Sequence, residues 1–184
     1  MRIIGGQWKR TPLPVPDVAG LRPTPDRVRE TLFNWLQHLR PDSSTLRGLD
    51  LFAGTGALGF ELASRGAHSV LLVESNPQAL ESLRATRERL SASAVDVRLG
   101  DGLTVAAQLA PRSFDVVFLD PPFNADLQSP ALIAARRLLA GGGLVYLEAP
   151  AALTPDQAQQ AGLEIVRSGR AGQVAFHLLR QPTA

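Results

Sequence analysis

The run Leu49-Asp50-Leu51-Phe52-Ala53-Gly54-Thr55-Gly56-Ala57-Leu58-Gly59 decides the fold. Its apolar first half predicts a strand over 47–52, and the apolar positions beyond the glycines predict a helix over 57–65. Between them, Gly54-x-Gly56-x-x-Gly59 has the spacing of a loop that receives a nucleoside-containing cofactor. Glycines there let the backbone turn tightly and approach a ligand closely. Glu74 lies twenty residues beyond Gly54 and ends the second predicted strand, where a carboxylate can accept both hydroxyls of a ribose. The spacing alone does not name the cofactor.

Outward from this run, strand and helix alternate. Apolar strands are predicted over 69–74, 94–99, 114–119 and 143–148, with helices over 77–91, 102–109 and 129–140. Asn76 before Pro77 is a start signal for the first of these helices. Strands that are apolar throughout, separated by helices, predict a parallel sheet covered on both faces. A short helix over 154–161 precedes two strands, 163–168 and 172–180, which meet at Gly169-Arg170-Ala171-Gly172 and so must be antiparallel. Upstream, Gly5-Gly6, Pro12, Pro14, Pro16, Gly20 and Pro23 break residues 1–24 into a hairpin-like arm. A helix follows, with Thr24 expected as its N-cap and Pro25 in its first position. Val28, Leu32, Trp35, Leu36 and Leu39 give it one apolar face; Arg27, Arg29, Glu30, Asn34 and Gln37 are expected on the other. The expected division is a basic arm and helix over 1–45 and a catalytic domain over 46–184.

The chain has 184 residues, 45% of them hydrophobic and 20% charged, which suits one globular domain. No apolar run approaches the roughly 18 residues of a membrane span, and the start Met1-Arg2-Ile3-Ile4-Gly5-Gly6 lacks the apolar core of a signal peptide. The absence of cysteine removes a disulfide framework and a thiolate metal site, so a cytoplasmic location is expected. His38, His68 and His177 show no ligand spacing, and no metal is expected. The net charge is only +2, but residues 1–40 hold seven basic and three acidic side chains, and the other 144 hold twelve and fourteen. A basic arm on a slightly acidic body suits an anionic partner met by the N-terminus; the plainer reading is a solvated, arginine-rich surface, with 18 Arg to one Lys.

Asp50 separates two cofactor classes. A carboxylate four residues before the first glycine would repel the pyrophosphate of NAD at short range. S-adenosylmethionine has no phosphate and carries an ammonium and a sulfonium, which a carboxylate attracts. The Asp-x-x-x-Gly-x-Gly pattern resembles the cofactor loop of class I methyltransferases, whose sheet is likewise five parallel strands closed by an antiparallel hairpin. That resemblance implies an α/β, Rossmann-like, seven-stranded, mostly parallel sheet. It also implies that Asp50, Phe52, Ala53, Gly54, Gly56, Glu74, Ser75, Asp101 and Gly102 hold the cofactor. Asp101 is equally an ordinary helix N-cap.

The strand Phe114–Leu119 ends in Asp120-Pro121-Pro122-Phe123, which resembles the (Asp/Asn/Ser)-Pro-Pro-(Tyr/Phe) motif of methyltransferases acting on planar amines. A base amine is a poor nucleophile because its lone pair is delocalised into the ring. The Asp120 carboxylate and the Pro121 carbonyl can hold its two hydrogens and draw the nitrogen toward tetrahedral geometry. Pro121 and Pro122 lack N–H donors and fix φ, which makes a rigid acceptor edge. Phe123 can stack on a base taken out of its helix.

Further segments are similar to the RsmD family of bacterial enzymes that methylate guanine N2 in 16S ribosomal RNA. They are Arg2-Ile3-Ile4-Gly5-Gly6-Gln7-Trp8, the stretch from Leu21-Arg22-Pro23-Thr24-Pro25 to Trp35-Leu36, and Ala171-Gly172-Gln173-Val174-Ala175-Phe176. The likeness implies S-adenosylmethionine as methyl donor, S-adenosylhomocysteine as product, and a monomer acting on the small subunit or its assembly intermediate. The residues before 46 are too few for a large target-recognition domain, so RNA contact falls to the arm, with Lys9, Arg10, Arg22, Arg27 and Arg29 as candidates. Other readings stay open at this point: adenine-N6 or protein glutamine-N5 methylation, an NAD-dependent oxidoreductase, and a non-catalytic ribosome assembly factor.

Overall fold

The computed structural model describes residues 1–123 and 126–183. Its strands are β1 (Arg47–Asp50), β2 (Ser69–Glu74), β3 (Val95–Leu99), β4 (Phe114–Leu119), β5 (Leu139–Ala149), β6 (Glu164–Ala171) and β7 (Val174–Arg180). Its helices are α1 (Asp26–Leu39), α2 (Ala57–Ser64), α3 (Pro77–Arg89), α4 (Gly102–Gln108), α5 (Gln128–Leu138) and α6 (Pro155–Gln160). One seven-stranded sheet runs β3-β2-β1-β4-β5-β7-β6. β7 is antiparallel to both neighbours, and the other pairs are parallel.

Both faces are covered because alternate residues of the central strands are apolar in both directions. Phe118 and Tyr146 face a core shared with Leu32, Phe33 and Leu36 of α1, Phe60 and Leu62 of α2 and Leu83 of α3. Leu119 and Leu147 face a second core with Val105 of α4, Leu132, Ala135 and Leu138 of α5, and Ala158 of α6. Each of the leucine, valine and phenylalanine side chains among these stabilises the fold by about 1.5–3 kcal/mol when fully buried. β3 departs from the expectation of strands apolar throughout: as an edge strand it leaves Asp96 and Leu99 exposed. β5 starts earlier than expected, at Leu139, which pairs with Phe114; pairing then resumes with Leu144 opposite Val116, so Gly141–Gly143 form an irregularity inside the strand. Among the described residues, no helix is long and apolar enough to cross a membrane.

Two expectations for the N-terminal region are corrected. Pro25, not Thr24, occupies the N-cap of α1, and no side chain caps it. The Thr24 hydroxyl instead donates to Glu148 Oε1 at 2.7 Å. Arg29 is not on the solvent face: it is 0% exposed. Its guanidinium donates to the carbonyls of Arg2 (2.8 Å) and Thr24 (3.3 Å) and to Asp26 Oδ1 (2.6 Å), and it lies 3.8 Å from Glu61. A helical period assigns a face but cannot foresee that a folded-back arm covers it.

That arm is a small antiparallel hairpin joined at Arg2 and Pro12. It sits on Glu61, Ser64 and Arg65, which share one face of α2 and its C-terminal end. Glu61 accepts the N–H groups of Ile4 (2.7 Å) and Gly5 (2.8 Å), and the Ser64 carbonyl accepts from Gln7 (2.8 Å). Gly6 permits this approach: its φ is +76°, and a Cβ there would lie 1.9 Å from the Ser64 carbonyl oxygen.

Candidate active site

The chain runs from β1 outward to β3, then returns to place β4 on the other side of β1. Such a reversal opens a crevice at the carboxyl ends of the two strands. Here it is a cavity of about 750 Å³ between the loop after β1, the turn after β4 and residues 18–24 of the arm.

Every residue expected to hold the cofactor, except Gly56, lines this cavity: Asp50, Phe52, Ala53, Gly54, Glu74, Ser75, Asp101 and Gly102. Gly56 acts one layer behind. Its φ is +77°, and a Cβ would lie 2.6 Å from Leu83 Cδ2, so the loop can close against α3 only with glycine there. Glu74 ties the loop to β2, since its Oε2 accepts from Gly54 N at 2.8 Å and its Oε1 from Asn76 N at 2.8 Å. Each oxygen keeps a further lone pair for a ligand. Asp101 Oδ1 caps α4 by accepting from Thr104 N and Oγ1, both at 2.8 Å. These bonds hold its carboxyl below the usual carboxylate range.

Asp50 is 2% exposed. Burial, reinforced by the negative charges of Glu74 and Glu148 and only partly offset by the Phe52 N–H, pushes its pKa up to about 7. Between about pH 4 and 7 the folded protein therefore keeps a proton that the unfolded chain has lost, and stability falls as pH rises through that window. Asp50→Asn should remove this cost. The unliganded variant is expected to exceed the wild type by on the order of 2–4 kcal/mol at pH 8, with the gap narrowing toward pH 5. Urea unfolding at the two pH values measures it, and an unchanged pH dependence would refute the assignment.

Asp120, directly after β4, reaches the same cavity. Burial raises its pKa well above the usual range; the charges of Glu148 and Asp50 add to the rise, and Arg22 opposes it. The turn it begins is shared, because Pro121, Pro122 and Phe123 also line a second cavity of about 330 Å³ together with Glu148 and Gln128. Arg22 borders the large cavity, and its guanidinium lies 4.4 Å from the centre of the Phe123 ring. Of the five candidate RNA contacts, Lys9, Arg10, Arg22 and Arg27 are exposed. Arg29 is sealed in the core and unavailable to RNA.

A sequence model of the family described as "Conserved hypothetical protein 95" matches residues 1–180. The chain is 39% identical over 183 residues to the Escherichia coli K12 protein named ribosomal RNA small subunit methyltransferase D, covering 98% of this chain and 90% of that one. The chain belongs to the RsmD family. It is thus a methyltransferase, and its fold agrees with solved structures. A putative methyltransferase from Escherichia coli superposes with a TM-score of 0.84 at 38% identity, over 100% of this chain and 99% of that one. A putative methylase from Haemophilus influenzae gives 0.75 at 32% identity, over 97% and 96%.

Within this RsmD-family site, sequence reading missed Glu148. It is the one charged side chain in Leu144–Ala149, at the end of β5, and it is 3% exposed. Leu119 pairs with Leu147, so Asp120 and Glu148 follow at matching ends of neighbouring strands. A lone acid closing an apolar strand next to the strand of the Pro-Pro motif was the available signal. Arg22 and Thr24 enter the site through the arm, and no local pattern could have paired them with residues a hundred positions away.

Proposed function

We propose that this enzyme transfers the methyl group of S-adenosylmethionine to the exocyclic N2 amine of a guanine in the 16S rRNA of the small ribosomal subunit or its assembly intermediate, leaving S-adenosylhomocysteine. The observation that carries the reading is the turn Asp120–Phe123, which borders the large cavity and whose Pro121, Pro122 and Phe123 also border the second. A donor and an acceptor can thereby meet across one rigid acceptor edge.

The donor set beside the glycine loop fits this cofactor. Asp50, Glu74 and Asp101 bring three carboxylates to the large cavity, which disfavours a pyrophosphate and suits ribose hydroxyls, an amino group and a positively charged tail. Glu74 would take the ribose, Asp101 the adenine side and Asp50 the cationic end, with Phe52, Ala53, Gly54, Ser75 and Gly102 as walls and Gly56 shaping the loop. When bound, the cofactor supplies an electrophilic methyl group on a sulfonium. Asp120 and the Pro121 carbonyl hold the two hydrogens of the amine and fix its nitrogen in a near-attack position. Pro122 stiffens the edge, and Phe123 stacks on the extruded base, sharing its ring with Arg22. In this reading residues 1–45 cover the site and meet RNA through Lys9, Arg10, Arg22 and Arg27, while 46–184 carry the catalysis. The name ribosomal RNA small subunit methyltransferase D on the relatives supports the substrate class.

The test uses purified enzyme, labelled cofactor and small subunits from an Escherichia coli strain lacking its own relative. Nucleoside mass spectrometry is expected to find N2-methylguanine as the labelled product. N6-methyladenine, or label on protein, would reject the guanine assignment.

A further inference from the structure

Glu148 is a buried acid that the mechanism above does not use. Its Oε1 accepts two hydroxyls, Thr24 Oγ1 at 2.7 Å and Tyr146 Oη at 3.0 Å. Its other oxygen, Oε2, has no hydrogen-bond partner among the described residues and is not sealed in, and Glu148 borders the second cavity beside Pro121 and Phe123. Two hydroxyls on one oxygen fix the side chain's rotamer and leave the second oxygen as an aimed acceptor. A carboxylate held this way, 3% exposed, is costly to bury unless a ligand donates to it.

We infer that Glu148 is the residue that selects guanine, by accepting the ring N1–H of the target base while Asp120 and the Pro121 carbonyl hold its N2 hydrogens. This rests on the guanine-N2 reading and adds the determinant of base choice. Guanine alone among the four RNA bases that could be bound here presents a ring N–H immediately beside an exocyclic amine. Three donors then meet three acceptors. Adenine and cytosine carry their amine next to a ring nitrogen with a lone pair, which would point at the Glu148 oxygen and leave it unpaired. A site built to receive an N–H rejects analogues lacking it far more strongly than an apolar pocket rejects a change of shape. Thr24 belongs to the same device: the arm supplies the hydroxyl that clamps the reading carboxylate, so base selection depends on the arm being seated.

The test compares small subunits reconstituted with guanine or with 2-aminopurine at the target position. 2-Aminopurine keeps the N2 amine but has a lone pair at N1. The wild type is expected to favour guanine by about 10²-fold or more in kcat/KM. Glu148→Gln, whose amide can turn an N–H toward N1, is expected to lose about 10–100-fold on guanine and to shrink the preference at least about tenfold. Equal losses on both substrates, or an unchanged preference, would overturn the inference, since a purely structural role moves both alike. Affinity for S-adenosylhomocysteine reports whether the variant is folded. If it is not, Thr24→Val decides: loosening the clamp should reduce the preference about threefold or more, and no change overturns the inference. Failure of the underlying reading looks different, because the wild type itself would then form no N2-methylguanine on guanine-bearing subunits.

Discussion

Asp120→Ala is expected to lower the rate of methyl transfer by about 10²–10³-fold while changing the affinity for S-adenosylhomocysteine by less than about threefold. The substitution removes one of two acceptors that orient the amine, so the loss falls on the chemical step. It leaves the Gly54 loop and its Glu74 anchor untouched. Unfolding would not explain the loss. Asp120 is enclosed near Glu148 and Asp50, which disfavour its charged form, so alanine relieves repulsion instead of creating it. Asp120→Asn keeps a carbonyl acceptor in the same place and should retain more activity than the alanine variant. Single-turnover transfer at saturating labelled cofactor, paired with calorimetric titration of S-adenosylhomocysteine, separates chemistry from binding. An alanine variant within tenfold of the wild type would remove Asp120 from the catalytic role.

How far the sequence reaches can be read from individual residues. β2 and β4 are observed over the predicted ranges 69–74 and 114–119, because strands buried on both faces carry consecutive apolar residues, Val70–Val73 and Val116–Leu119, bounded by polar positions and turns. All the residues expected around the cofactor except Gly56 are gathered at one cavity because each ends or follows a strand, and the parallel sheet brings strand ends together. Legibility ends where the chain folds back on itself. Thr24 has the composition of an N-cap, yet Pro25 takes that position and the Thr24 hydroxyl goes to Glu148, 124 residues away. Arg29 falls on the polar side of its helix by period, yet an arm covers that side. Local rules weigh a residue against its neighbours in sequence, and both residues are fixed by partners outside that window.

The buried charges beneath the arm should produce the largest change in stability. Glu61→Ala is expected to cost about 3–5 kcal/mol, the cost of breaking a buried ion pair by removing one partner. Glu61 is 0% exposed and accepts from three donors at once, the N–H groups of Ile4 and Gly5 and Arg65 Nε at 2.8 Å, while the Arg29 guanidinium lies nearby at 3.8 Å. Its removal leaves two backbone N–H groups without their acceptor and takes from Arg29, whose side chain is equally sealed, one of its two carboxylate neighbours, leaving Asp26. Exposed pairs elsewhere in the chain, such as Arg84 with Glu81, should contribute no more than about 1 kcal/mol. The double variant Arg29→Met, Glu61→Leu is expected to be more stable than Glu61→Ala alone, because it removes the buried cation as well as its partner and fills the space with apolar side chains. Urea unfolding gives both numbers. Arg29 also holds the carbonyls of Arg2 and Thr24, so losing Glu61 should loosen residues 1–24 before the sheet melts, with faster proteolytic cleavage in the arm. A loss below about 1 kcal/mol, or an arm that resists protease as in the wild type, would mean that apolar contacts of Ile3 and Leu13 seat it without the charges.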